Sequence, residues 1–159
     1  MTTAALKNPF TPEQMKELER WTKEYPYPIM GLLEALRSVQ HWHLCVTPDD
    51  EAVVAGIFKT TRMRVHELVT FFPMFTQTPT GRRRLGVCHG LSCAMAGAKD
   101  VCKTLEKRLG VEEGETTKDG EFSWEELECI GACDYAPAIQ VNDELQGKAT
   151  AEKLDAVLE

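Results

Sequence analysis

The sequence predicts an α+β chain, with a helical first half and a small sheet flanked by helices in the second. Three observations carry that prediction. Up to about residue 76, apolar residues recur at helical spacing behind Thr-Pro starts. Gln77-Thr-Pro-Thr-Gly81 is then turn-rich, and the apolar period changes after it. Finally, four of the six cysteines fall in two short blocks, each just past the end of a predicted strand. The boundary is expected at the turn-rich stretch, giving a helical domain over 1–79 and a second domain over 80–159.

The elements follow in order. Thr11-Pro12-Glu13-Gln14 reads as a helix start, with Thr at the N-cap, Pro in the first turn and Gln completing a capping box. That helix is expected to run to about Tyr25 and to stop at Pro26 and Pro28. Ile29, Leu32, Leu33, Leu36 and Val39 give a second helix its apolar stripe. Thr47-Pro48-Asp49-Asp50 repeats the start signal, with acidic residues suited to the positive helix end. Val53, Val54 and Ile57 follow it on one face. Thr61 is expected to cap a fourth helix through Val65, Leu68, Val69 and Phe72. Beyond the boundary, Arg84–Val87 reads as a strand leading into Cys88, and Ala94–Leu109 as a helix ended by Gly110. Phe122–Leu127 and Ala138–Val141 read as further strands, with a turn at Asn142-Asp143. Ala151–Leu158 is expected to close the chain as a helix capped by Thr150.

Composition excludes several classes. The chain has 159 residues, 43% apolar and 27% charged, so it can bury a core. Its net charge of −7 argues against nucleic acid, because phosphate contacts need clustered Lys and Arg. The basic run Arg82-Arg83-Arg84 is expected to be a solvated strand start rather than a docking patch. Apolar stretches are far shorter than the roughly 18 residues of a membrane span, so no direct insertion is expected. The start has one lysine and no apolar core of a secretory signal, so a cytoplasmic protein is expected. In such a compartment, clustered cysteines suggest metal or redox work rather than disulfide staples.

Cys88-His-Gly-Leu-Ser-Cys93 and Cys129-Ile-Gly-Ala-Cys133 can both lie on loops at one edge of the sheet. Four thiolates are what a [2Fe–2S] cluster needs, two for each iron, and the oxidised cluster then carries a net charge of about −2. Gly90, Leu91, Ser92, Ala94, Gly131 and Ala132 are candidates to aim backbone N–H groups at the sulfurs. Structural zinc more often uses tighter pairs, yet a zinc-stabilised binding module remains the competing class. Neither the dithiol spacing of thioredoxins nor the run of plant-type ferredoxins is present. Cys102 is expected to be a buried core thiol. His41, His43 and Cys45 are too irregularly spaced to be read as a metal site. His89 is expected to be a neighbour of the cluster that affects its potential. No G-x-G-x-x-G motif and no P-loop is present, so no dinucleotide site is expected in this chain.

With Cys88-x4-Cys93-x3-Gly97, Gly114-Glu-Thr-Thr-Lys-Asp-Gly120 and Glu128-Cys-Ile-Gly-Ala-Cys-Asp-Tyr-Ala-Pro137, the chain resembles a known family. It is similar to the small [2Fe–2S] subunit of NADH-quinone oxidoreductase (respiratory complex I). Related subunits belong to NAD-linked hydrogenases and formate dehydrogenases, and these remain alternative parents. Tyr25-Pro26, Gln40 and Val65–Phe75 support the resemblance less sharply. It implies a thioredoxin-like [2Fe–2S] ferredoxin domain behind a helical N-terminal domain, with one cluster on Cys88, Cys93, Cys129 and Cys133. It also implies a partner flavoprotein that binds FMN and NAD(H), forming a heterodimer within a larger complex. Electrons would then pass singly from FMN to the cluster. The chain would reach the cytoplasmic face of the inner membrane only through that complex.

Overall fold

A computed structural model describes residues 8–158. The chain divides into two compact units, Met1–Pro79 and Thr80–Glu159.

The first unit is helical: α1 (Pro12–Glu24), α2 (Leu32–His43), α3 (Pro48–Ile57) and α4 (Arg62–Phe71). The start signals work as their chemistry demands. Gln14 N–H donates to Thr11 Oγ1 at 3.3 Å, and Thr11 N–H donates to Gln14 Oε1 at 2.8 Å. Asp50 answers Thr47 in the same reciprocal way at α3, and Thr61 caps α4. Each cap satisfies amides the helix itself leaves open, worth about 1 kcal/mol. The inward faces supply Leu18, Leu32, Leu36, Val39, Val54 and Val65, all fully buried. Gln40 ties the end of the unit back to α2: its amide donates to Thr76 Oγ1 and its carbonyl accepts from Thr76 N–H, both at 3.0 Å.

One boundary differs from expectation. Pro28–Gly31 forms a 3-10 turn ahead of α2, and Ile29 is 45% exposed rather than part of the core. The cause is a close approach at Gly31. A Cβ there would stand 2.1 Å from the Trp21 carbonyl oxygen, so only glycine lets α1 and the turn pack this tightly.

The second unit carries β1 (Arg83–Cys88), α5 (Leu91–Met95), α6 (Ala98–Leu109), β2 (Phe122–Leu127), β3 (Ala138–Val141), β4 (Glu144–Lys148) and α7 (Ala151–Leu158). The strands form one sheet in the order β2-β1-β3-β4. Strands β1 and β2 are parallel, with Cys88 opposite Leu127, while β3 is antiparallel to both β1 and β4. Leu85 and Val87 of β1, Trp124 of β2 and Ile139 of β3 pack with Val101, Cys102, Leu105, Leu154 and Val157 of the helices.

Two elements depart from expectation here. The helix expected over Ala94–Leu109 is split at Gly97, whose φ of +96° breaks the helical run and lets α6 start afresh. Strand β4 has no counterpart among the expected elements. Its residues Glu-Leu-Gln-Gly-Lys are largely exposed and lack the apolar alternation that marks a half-buried strand. The arginine run is a strand start, as expected. Arg84 pairs with Glu125, Arg82 lies 3.8 Å from Glu121, and Arg83 stacks over the Phe122 ring. Among the described residues, no helix is long and apolar enough to cross a membrane.

Candidate metal-cluster site

Parallel pairing of β1 and β2 brings the two cysteine blocks to one end of the sheet. Cys88 is the last residue of β1, and the ladder extends one step further, as His89 N–H donates to the Leu127 carbonyl at 2.9 Å. That step leaves Cys129 beside the next residue of the β1 loop. A Cβ on Gly90 would lie 3.1 Å from Cys129 Cβ and 3.3 Å from its Sγ. Gly90 is the N-cap residue of α5, whose single full turn holds Cys93. Cys133 opens a 3-10 turn, Cys133–Tyr135, that returns the chain to β3. There Ala138 N–H donates to Cys93 Sγ at 3.5 Å.

The four thiols therefore interact. Burial pushes the Cys88 thiol up, but the amides of Ile130 and Gly90 and the thiols of Cys93 and Cys129 all bond to its sulfur and hold its pKa below the usual value. At Cys93 burial also acts upward, the Ala138 amide opposes it, and Cys88 and Cys133 push up again, so the net shift is upward. Cys88 and Cys93 are each 2% exposed, whereas Cys129 and Cys133 lie at the surface. The site is thus two-sided, with one buried pair and one exposed pair.

A [2Fe–2S] cluster fits this donor set. It asks for two thiolates at each iron and for N–H donors around the sulfurs, and the two loops supply both. The amide donors differ from those expected. Gly90 does bond to a sulfur, but Ala94 N–H is taken by the Gly90 carbonyl at 2.9 Å as a helical bond of α5. Ile130 and Ala138 are the donors that spacing does not suggest. Ala138 lies 45 residues from Cys93, so only the sheet brings them together.

The other candidates fall elsewhere. Cys102 is a buried core thiol, as expected. Burial and then the Glu126 carboxylate beside it push its pKa up to about 12. Cys45 is 3% exposed and donates to the His43 carbonyl at 3.6 Å, while His43 Nδ1 sits 3.0 Å from Asp50. That histidine and thiol thus serve separate partners. His89 stands beside the site with its ring between two carboxylates, Nδ1 3.4 Å from Glu126 and Nε2 3.3 Å from Glu128.

A mixed sheet that delivers two cysteine loops to one end defines the domain of a small redox or metal-centre protein. The family model of the thioredoxin-like [2Fe–2S] ferredoxins matches residues 18–159, and the chain belongs to that family. Among its relatives is an NADH-quinone oxidoreductase subunit of Rhizobium meliloti, 39% identical over 146 residues, covering 91% of this chain and 86% of that one. The NADH-quinone oxidoreductase subunit 2 of Thermus thermophilus is 35% identical over 155 residues, covering 94% and 84%. Among solved structures, a chain of an NAD+-reducing [NiFe]-hydrogenase in the H2-reduced state superposes with a TM-score of 0.70 at 23% identity. The match covers 80% of this chain but only 21% of the hydrogenase chain, and at that identity it speaks for the fold.

Proposed function

We propose that the chain is the electron-transfer subunit of an NADH:quinone oxidoreductase, carrying one [2Fe–2S] cluster on Cys88, Cys93, Cys129 and Cys133. The observation that carries this reading is the meeting of the two cysteine loops: the Cβ position of Gly90 lies 3.3 Å from Cys129 Sγ, and Ala138 N–H donates to Cys93 Sγ at 3.5 Å. The name NADH-quinone oxidoreductase shared by relatives that the chain covers to 86% and 84% of their length supports that parent complex ahead of a hydrogenase.

When bound, the cluster supplies reversible one-electron exchange. The protein's own part is to hold four thiolates and to place amide dipoles on them. Ile130 and Gly90 N–H groups stabilise negative charge at Cys88, and Ala138 N–H does so at Cys93. The partner is a flavoprotein that binds FMN and NAD(H), and it passes single electrons to this chain. Residues 1–79 and 80–159 act as separate domains, the second holding the cluster. Attachment to the cytoplasmic face of the inner membrane comes through the complex, with no insertion by this chain.

The test is replacement of each candidate ligand by serine, read by iron and acid-labile sulfide content, the visible spectrum and EPR after reduction. Cys88, Cys93, Cys129 and Cys133 variants are expected to lose or strongly alter the cluster, and Cys45 and Cys102 variants to keep it. A colourless protein with one tightly bound zinc after anaerobic preparation would overturn the proposal. The isolated chain is expected to show no NADH:ferricyanide activity.

A further inference from the structure

The cysteine-loop end of the second unit has a surface of unusual make-up. On α5, Leu91 and Met95 flank Cys93 and stand 80% and 82% exposed, among the most exposed large apolar side chains described. They are four apart on one helical face. Across the site Tyr135, two residues past Cys133, is 51% exposed, its ring against Gly147 of β4. Around this apolar centre lie carboxylates: Glu128 next to Cys129, Asp134 next to Cys133, and Glu126 two residues before Glu128 on β2. The Glu128 side chain is 94% exposed. Neither 88–98 nor 126–138 contains a lysine or arginine.

Most basic side chains of the second unit lie elsewhere. Arg82, Arg83 and Arg84 enter β1 at the opposite end of the sheet and are engaged with Glu121, Phe122 and Glu125. Lys103 and Arg108 belong to later turns of α6 and pair with Asp100 and Asp155. Lys148, at the end of β4, pairs with Ala138. Lys99 begins the first turn of α6. His89 is the one cationic candidate within the patch, and it is held between Glu126 and Glu128.

We infer that this end of the chain docks a protein surface with an apolar hollow ringed by lysine and arginine. Charge complementarity carries the assignment. Opposite potentials speed encounter, and like potentials at a rim cost affinity and rate. A second copy of this chain would bring acid against acid, and an anionic surface would be repelled. The apolar centre supplies the desolvated contact, and the carboxylates supply steering and register. The inference rests on the cluster proposed for Cys88, Cys93, Cys129 and Cys133 and adds the electrical character of the partner's face.

A basic one-electron acceptor of known charge tests it. The full chain is reduced with dithionite, freed of excess reductant and mixed with cytochrome c. One electron leaves the reduced cluster and converts the ferric haem to ferrous, returning the cluster to its oxidised form. The bimolecular rate is expected to fall about tenfold or more as ionic strength rises from about 10 to about 500 mM, since screening removes the attraction. Ferricyanide, an anion, is expected to show the opposite salt dependence. The combined variant Glu126→Gln, Glu128→Gln, Asp134→Asn should flatten the cytochrome c dependence. Glu106→Gln, Glu121→Gln, Glu144→Gln, with the same net charge but away from the cysteine loops, should leave it close to the original. Equal salt dependence in both combined variants would overturn the inference, because total rather than local charge would then be acting. So would a rate with cytochrome c that ignores salt, or a dimer in sedimentation that Met95→Ser dissociates. Iron, sulfide and visible spectra are taken first. A chain without a cluster defeats the underlying proposal, whereas an intact cluster with no local charge effect defeats this inference alone.

Discussion

Gly90→Ala probes how the two cysteine loops are held together. Gly90 has φ −51° and ψ 157°, a conformation open to any residue, so alanine meets no backbone penalty. Its only consequence is a methyl group 3.1 Å from Cys129 Cβ, 3.3 Å from Cys129 Sγ and 3.5 Å from Cys129 Cα. Carbon–carbon contact is most favourable at about 3.5–4.0 Å, so Cys129 must retreat by a few tenths of an ångström. In the metal-free protein it can do so cheaply, because Cys129 is exposed. The lost chain entropy of glycine then offsets the cost by about 0.4–1 kcal/mol, and the apo protein's melting temperature should hardly move. With a cluster bound, the sulfur is pinned, since metal–ligand distances tolerate only about 0.2 Å. Overpacking of that kind costs about 1–3 kcal/mol, which is about 5- to 150-fold in cluster retention. The assay is loss of visible absorbance under a chelator, beside apo and holo melting curves. A Gly90→Ala protein that keeps its cluster as long as the original, with an unchanged EPR spectrum, would refute the reasoning.

Further outcomes follow from the same geometry. Cys102, with its pKa pushed to about 12, stays protonated in the folded protein at pH values where the unfolded thiol has ionised. Stability should be intact below pH 9 and fall as pH rises towards 12, and Cys102→Ala should remove that component in urea titrations at pH 8 and 10.5. Glu51 is buried and holds Arg62 Nε at 3.1 Å and His66 Nδ1 at 2.6 Å. Glu51→Gln keeps one acceptor but loses the charge. Because the Arg62 and His66 side chains are 54% and 42% exposed, the cost should be about 2 kcal/mol rather than the full buried-pair value. Urea unfolding followed by tryptophan fluorescence checks it, and a change under about 0.5 kcal/mol would refute it. Gly31→Ala forces a methyl group against the Trp21 carbonyl, which belongs to backbone and cannot swing away, so a loss of about 3 kcal/mol is expected in the same assay.

The helical unit is legible because its punctuation is local. A Thr cap, a proline in the first turn and an acidic or amide residue three positions on act within one turn of chain, and all three starts of this kind or of Thr alone sit where the spacing indicates. What spacing cannot convey is the Gly31 contact, which depends on a carbonyl ten residues back in α1. Strand β4 escapes for a different reason. An edge strand with one neighbour needs no apolar face, and Glu144–Lys148 shows none. Gly97 is visible as a residue but not as a break, since a helix-interior glycine looks the same until its φ is known.

At the site, residue types are legible and their division of labour is not. Cysteine spacing and the family resemblance mark the four thiols, and both arise within short segments. The contrast between a buried Cys88/Cys93 pair and an exposed Cys129/Cys133 pair comes instead from the sheet. Cys88 ends a strand that has a neighbour on each side, β2 and β3, whereas Cys129 lies past the end of the edge strand β2. Burial also acts on chemistry through that difference. Amides from Ile130, Gly90 and Ala138 reach the inner pair, so hydrogen bonding stabilises charge where solvent is absent. The outer pair is left to water or to whatever docks there. Exclusion of that water by a partner would strengthen every electrostatic interaction at the exposed sulfurs. A cluster held by these four thiols would thus have a reduction potential that depends on complex formation, because its Cys129 and Cys133 sulfurs lie at the surface. Equal midpoint potentials for the free chain and the assembled complex, measured by EPR-monitored redox titration, would contradict that expectation.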